Sequence, residues 1–548
     1  MKNCRIAIAQ INPTVGDLNK NTNKIIRLIK KYESAADLII FPELSIVGYP
    51  PEDLILRKRL IDEVNKKIKK IINYIKNSNI AVVLGAPLEF KKGIGNAAIF
   101  IFKNKVEIFF KNNLPNYGVF DEKRIFKAGT KYKCLKYKNI RIGVLICEDM
   151  WSLKMPKNLI KDKVDLFVSI NASPFDKNKI INRREVAKRL ALFSKKPIIY
   201  LNQVGGQDEL VFDGNSFAMN KRGEIIFNMT PWKEKVEVFS CAFFHSHKKK
   251  KINYKNIEFS QNFNKWSALV KGLEDYVYKN GFKKVILGLS GGIDSAVSAA
   301  IAVDAIGNKN VLGIRMPSKY SSRSSLNDAL DSAKKLNIKI ETLKINRVHQ
   351  EYLTTISKVF NKNIKNITEE NLQSRIRGTL LMAYSNNFSH LLLSTGNKSE
   401  ISVGYSTIYG DMNGGFNVLK DIYKTELYEL AKWRNKVNFK LFKGPKGIVI
   451  PNNSIQKEPS AELRLDQKDS DSLPPYETLD KILYQMIENE ASIEEIKKMG
   501  FDEKLIKRIR ALLLKAEYKR RQAPPGVKLS TKAFGKERRY PITNAFKV

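Results

Sequence analysis

Two groups of residues in this 548-residue chain have the types and the setting to do chemistry. The first centres on Cys147, which ends the apolar run Ile140–Ile146 and is followed at once by Glu148 and Asp149. A cysteine where a strand turns presents its sulfur to a cleft. Its thiol ordinarily ionises near pH ~8.5, so it needs a base or a neighbouring cation to act as a nucleophile. Histidine is scarce, with four in the chain, so the base falls to a carboxylate. Glu43, directly after Leu38-Ile-Ile-Phe-Pro42, stands at another abrupt strand end. Lys111, in Phe109-Phe-Lys-Asn-Asn-Leu-Pro115, ends a third, and its ammonium can favour the thiolate and steady an oxyanion. Taken singly, such residues are usually buried packing or solvated charge; the three together, in this order on strand ends, point to attack on an amide.

The second group is Gly288, Leu289, Ser290, Gly291, Gly292, Ile293, Asp294 and Ser295, placed between a strand and a helix. Consecutive glycines let backbone N–H groups converge on an oxyanion, and the helix N-terminus adds about half a positive charge. The serines add hydroxyl donors. Asp294 repels a phosphate directly but can hold the Mg²⁺ that bridges phosphates. No GK[ST] follows, so this is not a Walker A loop.

These residues need elements that end where the chemistry is. Short β-branched runs at Arg5–Ala9, Leu38–Phe41, Ala81–Leu84, Ala97–Phe102, Val106–Phe110, Arg141–Ile146, Leu166–Ile170, Ile198–Leu201 and Ser216–Met219 predict strands. Helical spacing of apolar residues predicts helices over Asn19–Tyr32 and Leu60–Ile75. This is a layered α/β domain over 1–245. A lysine-rich stretch without apolar period, 246–262, reads as a linker. Beyond it, over 263–548, strands Val285–Leu289, Val311–Arg315 and Lys339–Leu343 alternate with helices, the pattern of a doubly wound parallel sheet. The last ~85 residues read as helical with a basic tail.

The Pro-Glu-Leu, Lys-x-x-Leu-Pro and Cys-Glu-Asp motifs at Glu43, Lys111 and Cys147 resemble the nitrilase superfamily. That resemblance implies a four-layer α-β-β-α sandwich in which the glutamate takes the thiol proton, the cysteine attacks an amide and the lysine steadies the tetrahedral intermediate. The SGGxDS loop resembles that of the N-type ATP pyrophosphatases, whose fold is adenine nucleotide alpha hydrolase-like and which split ATP to form an adenylate. An amide hydrolase joined to an adenylating site makes a glutamine-dependent amidotransferase. Over nearly its whole length the chain resembles the glutamine-dependent NAD⁺ synthetases, in Tyr117-Gly-Val-Phe-Asp-Glu122, Asn171-Ala-Ser-Pro-Phe175, Glu370-Asn-Leu-Gln-Ser-Arg-Ile-Arg377 and Ser394-Thr-Gly-Asn-Lys-Ser-Glu400. The resemblance implies glutamine contacts at Tyr117, Ser173 and Lys179, and Glu122 as a second carboxylate near the triad. It implies an ATP contact at Thr395, deamido-NAD contacts at Asn371, Glu400 and Lys519, and Mg²⁺ held by Asp294 and Glu400. ATP is then a co-substrate and no prosthetic group is expected. Ammonia freed at Cys147 would pass to the AMP-activated deamido-NAD, giving NAD⁺, AMP, pyrophosphate and glutamate, the last step of NAD biosynthesis. The family also implies a homo-oligomer.

Composition agrees with an enzyme of this kind. Apolar residues make up 43% and charged residues 28%, which excludes collagen-like and largely disordered chains. No apolar run is long enough to span a bilayer, and four cysteines without a CxxC pair indicate reducing cytoplasm. A net charge of +42 raises the case for a polyanionic partner, such as a tRNA adenylated by the same loop. The lysines are spread through the chain and form no discrete basic arm, so compositional bias is the preferred reading and no nucleic acid or membrane partner is expected.

Overall fold

The computed structural model describes residues 4–245, 260–360, 364–437 and 439–545, with the side chains of 243 and 245 excepted. Most of the stretch read as a linker therefore lies outside the described residues. The chain divides into two compact units, Met1–Glu258 and Phe259–Val548.

The strands of the first unit are β1 (Arg5–Gln10), β2 (Leu38–Ile40), β3 (Ala81–Glu89), β4 (Ile94–Phe102), β5 (Lys105–Phe110), β6 (Leu135–Tyr137), β7 (Ile140–Ile146), β8 (Leu166–Asn171), β9 (Ile198–Asn202), β10 (Val204–Gln207), β11 (Leu210–Asp213), β12 (Phe217–Met219), β13 (Ile225–Asn228) and β14 (Lys235–Ser240). One six-stranded sheet runs β14-β1-β2-β3-β4-β5, another runs β13-β12-β9-β8-β7-β6, and β10 and β11 form a hairpin. Strand alternation decides the layers. Ile6, Ile8, Leu38 and Ile40 of the first sheet pack against Ile142, Val144, Val168 and Ile199 of the second. The opposite faces take helices. Ala7, Ile39 and Val82 pack under Ile25, Ile29, Ile61 and Val64 of helices Leu18–Tyr32 and Lys58–Ile75. Leu145, Phe167 and Tyr200 pack under Leu159, Ala187 and Leu190 of helices Lys154–Lys161 and Lys179–Ser194. The result is helix, sheet, sheet, helix. Each fully buried Leu, Ile or Val contributes roughly 1.5–3 kcal/mol, which makes the register hard to slip.

In the second unit Ser260 caps the helix Gln261–Lys279, its hydroxyl accepting from Phe263 N at 3.1 Å. The helix thus begins inside the stretch read as linker. Strands β15 (Val285–Gly288), β16 (Val311–Arg315), β17 (Lys339–Thr342), β18 (Leu391–Ser394) and β19 (Phe416–Asn417) form one parallel sheet in the order β17-β16-β15-β18-β19. The strand order reverses between β15 and β18, and ligands of such sheets sit outside the strand ends at that crevice. The chain's end departs from the sequence reading. Among the described residues the last helix ends at Arg520, and the basic tail beyond it is part buried and part exposed, with Arg538 enclosed and Lys536 and Arg539 open to solvent. Arg520 is buried against Glu517 at 2.7 Å, and Arg538 lies 3.9 Å from the Tyr540 ring centroid.

Candidate active sites

In the first unit, Glu43 follows β2, Lys111 follows β5 and Cys147 follows β7, so two sheets deliver the three groups from their strand ends. Gly85 on β3 is what lets the Glu43 turn lie so close: a Cβ there would meet Leu44 N at 2.2 Å. Glu43 is buried, and its carboxylate accepts from Asn96 Nδ2 at 2.7 Å, Lys111 Nζ at 2.8 Å and Ala172 N at 2.9 Å. Lys111 Nζ also donates to Glu122 at 2.8 Å, and Tyr49 Oη donates to Glu122 at 3.0 Å. Burial works against the Lys111 charge, but Glu122 and Glu43 outweigh it and hold the ammonium well above its usual range.

Cys147 is 4% exposed and has φ +48°, the left-handed conformation that a non-glycine residue adopts only when its surroundings impose it. Asp149 imposes it. Its carboxylate accepts from Ile146 N at 3.2 Å and from Asn112 N and Asn113 N at 3.0 and 2.8 Å, so it fastens the Cys147 turn to the loop directly after Lys111. Burial and the charge of Glu43 push the Cys147 thiol well above its usual value, with Lys111 opposing in part. A thiol in this setting rests protonated, and attack requires a base at hand. Three carboxylates act on the thiol, Glu43 most strongly and Glu122 and Glu148 after it.

Glu122 is pushed up to about 7, by burial and by repulsion from Glu43 against the pull of Lys111. The ordinary value is 4.5, so between these limits the folded protein keeps a proton that the unfolded chain has lost. The stability this gives is full below the window and declines as pH rises through it, by up to about 1.4 kcal/mol per unit. Glu122→Gln removes the decline. Denaturant midpoints at pH 5 and pH 8 should fall further for the wild type than for the variant; equal falls would show that the proton is not held there.

The other glutamine contacts implied by resemblance surround this centre unevenly. Tyr117 is half-exposed and donates to Glu148 at 2.9 Å. Lys179 Nζ lies 4.8 Å from the Trp151 ring centroid, and burial together with Arg183 lowers its pKa. Ser173, just after β8, is buried, and its hydroxyl accepts from Arg183 Nε at 3.1 Å. The sequence reading missed Asn96 and Tyr49, and named Asp149 within the Cys-Glu-Asp motif without giving it a role; for Asn96 the available signal was a polar residue inside an apolar strand.

In the second unit the SGGxDS loop runs from β15 into helix Ile293–Ile306. Gly291 has φ +88°, and a Cβ there would meet Ser325 O at 2.2 Å, so the position requires glycine. Ser290 and Ser295 hydroxyls lie 3.2 Å apart, and Gly292 N donates to Ser290 Oγ at 3.3 Å. Gly288, Leu289, Ser290, Gly292, Ile293, Asp294 and Ser295 line one cavity with Thr395, which follows β18 across the crevice, and with Glu400. Asp294 and Glu400 meet on a residue the sequence reading did not single out. Lys424 Nζ lies 2.5 Å from Asp294 Oδ2 and 3.0 Å from Glu400 Oε1, and Asn397 Nδ2 donates to Asp294 Oδ1 at 2.7 Å. Burial pushes Glu400 up to about 8, with repulsion from Asp294 added and Lys424 opposing. Among the described residues no group of three or more His, Cys, Asp or Glu side chains is arranged to hold a metal ion, and the Lys424 ammonium lies between the two carboxylates expected to share Mg²⁺.

Asn371 and Lys519 are not among the residues lining that cavity. They meet instead around the turn 404–411. Thr407 Oγ1 donates to Asn371 Oδ1 at 2.8 Å, and Lys519 Nζ donates to the carbonyls of Gly404 and Ser406 at 2.8 and 2.6 Å. That turn itself lines the cavity with Glu400, through Tyr405, Ser406, Gly410 and Asp411, so Asn371 and Lys519 stand behind its wall.

Comparison with known proteins accounts for both units. The carbon–nitrogen hydrolase family matches residues 5–241, and the NAD synthase family matches residues 265–523. The chain is 42% identical over 555 aligned residues to the glutamine-dependent NAD(+) synthetase of Acinetobacter baylyi, covering 100% of this chain and 99% of that one. It is 41% identical to the enzyme of the same name from Thermotoga maritima, covering all of both chains. A solved structure of the glutamine-dependent NAD⁺ synthetase from Acinetobacter baumannii, in complex with ADP, is 40% identical and superposes with a TM-score of 0.76 over 99% of each chain. On full-length identity of this order, with both halves accounted for, the chain belongs to the family of glutamine-dependent NAD⁺ synthetases.

Proposed function

We propose that the chain makes NAD⁺ from deamido-NAD, with ATP as activator and glutamine as nitrogen donor. The observation that carries this is the presence in one chain of a buried Glu43–Lys111–Cys147 centre and an SGGxDS cavity. In the first unit, Glu43 takes the thiol proton, Cys147 attacks the glutamine amide and Lys111 steadies the oxyanion. Glu43 then returns the proton to the departing nitrogen, and water clears the acyl group as glutamate. Tyr117, Ser173 and Lys179 hold the glutamine. In the second unit the loop Gly288–Ser295 and Thr395 hold ATP, and Asn371, Glu400 and Lys519 hold deamido-NAD. The deamido-NAD carboxylate displaces pyrophosphate from ATP to form an adenylate. Ammonia displaces AMP, which is a far better leaving group than oxide. Mg²⁺ held by Asp294 and Glu400 would offset phosphate charge. Passage of ammonia inside the protein keeps it deprotonated, which free ammonia at neutral pH is not. Action in the cytoplasm as a homo-oligomer completes the reading; no helix among the described residues is long and apolar enough to cross a membrane.

A mass-spectrometric assay tests the whole scheme. With ¹⁵N-amide glutamine and unlabelled ammonium held too low to support synthesis by itself, yet above the ammonia that hydrolysis releases, NAD⁺ should carry ¹⁵N and form mole for mole with AMP. NAD⁺ that carries the solvent isotope would refute internal transfer. AMP formation without NAD⁺ would refute the ligase reading.

A further inference from the structure

We propose that Arg183 is a positioning residue for glutamine: it fixes the Ser173 hydroxyl relative to the Lys179 ammonium, and so sets affinity for glutamine rather than reactivity of Cys147. This rests on the assignment of Ser173 and Lys179 as glutamine contacts.

Arg183 is 2% exposed, and its guanidinium is engaged on every side. Nε donates to Ser173 Oγ at 3.1 Å, Nη2 to the Ser173 and Pro174 carbonyls at 2.6 and 2.8 Å, and Nη1 to Asp213 Oδ1 at 2.6 Å. Asn202 grips the same residue from the other side, accepting from Ser173 N at 2.9 Å and donating to Ser173 O at 3.1 Å. Arginine offers donors only, so the Ser173 oxygen acts as the acceptor toward it. The hydroxyl hydrogen is then the donor Ser173 keeps, within reach of the buried Tyr200 hydroxyl and suited to a ligand's carboxylate or carbonyl oxygen. Lys179 stands one turn earlier on the same helix, Lys179–Ser194, and residues four apart share a face. One rigid helix thus carries both the second polar contact and the clamp that orients the first. Asp213 ends β11, so the clamp also ties the helix to the hairpin.

A lysine cannot replace this fork, because it is a point charge without the planar donor set. Arg183→Lys keeps the charge facing Asp213 and loses the simultaneous bonds to Ser173. The expected result is a glutamine KM raised about 10-fold or more, the factor for one lost charge-assisted bond, with kcat at saturating glutamine within about 3-fold. Alkylation of Cys147 by iodoacetamide should keep its wild-type rate, while the glutamine concentration that protects against it rises with KM. Arg183→Met combined with Asp213→Asn removes both charges, leaving no lone buried anion, and should show the same split.

The idea is overturned if kcat falls with KM unchanged, if the alkylation rate drops in step, or if ammonium-supported NAD⁺ synthesis is lost in both variants. The last outcome would assign the cluster to the fold alone. Ser173→Ala and Lys179→Met separate the two readings. If they leave KM unchanged, the glutamine subsite itself is misplaced. If they raise KM and both Arg183 variants do not, only the role of Arg183 fails.

Discussion

Cys147→Ala abolishes glutamine-dependent NAD⁺ formation, on the order of 10⁴-fold or more, and leaves ammonium-supported formation within about twofold of wild type. The first half of this result follows from the chemistry, since alanine has no atom that can bond to the amide carbon. The second follows from the surroundings. Removing the sulfur leaves Lys111 between Glu43 and Glu122, so no buried charge loses its partner and the unit keeps its fold. Lys111→Met differs in kind: it would leave two buried carboxylates facing each other, a change that typically costs about 3–5 kcal/mol and confuses catalysis with unfolding. Parallel measurement of NAD⁺ from glutamine and from ammonium checks the prediction. An equal fall with both nitrogen sources, in a protein whose fold is intact, would show that the two centres are not separable.

The groups that do the proposed chemistry in the first unit were legible because each ends a strand. Glu43, Lys111 and Cys147 follow β2, β5 and β7, where apolar runs stop abruptly and the next residues cannot continue a ladder. The nine strands read in the first unit all appear. Those missed, β6, β10, β11, β13 and β14, are short or lie at sheet edges and in a glycine-bearing hairpin, where burial leaves a weak pattern. In β14 the alternation of Lys235-Val-Glu-Val is broken by consecutive Val238 and Phe239, and as an edge strand it buries only Phe239 fully. β18 escaped because Leu391-Leu-Leu-Ser394 carries no β-branched residue to distinguish a buried strand from a helix. Partners brought from afar were not legible at all. In a chain with 97 Lys and Arg, nothing local marks Lys424 as the cation that two carboxylates share. Net charge describes the sum and says nothing about which cations are enclosed.

That shared lysine gives the second large effect. Asp294→Asn should reduce NAD⁺ and AMP formation about 10²–10³-fold with either nitrogen source, while glutamine hydrolysis at Cys147 persists. The fold survives the change because Glu400 remains 3.0 Å from Lys424 Nζ, so the buried ammonium keeps one counter-charge. Activity falls to a residual level, because the phosphate loop loses the one carboxylate it carries, which faces Lys424. Electrostatics shift with it. Repulsion from Asp294 is part of what raises Glu400 to about 8, so in the variant Glu400 should ionise at lower pH. Any residual synthesis then extends to lower pH than in the wild type, where protonated Glu400 binds the lysine poorly. Glutamate release and NAD⁺ formation, followed separately in the same reaction, check the prediction. Undiminished AMP formation would remove Asp294 from the adenylating machinery. Loss of glutamate release together with NAD⁺ would show that the second site governs the first, a coupling for which Asp294 would be the handle.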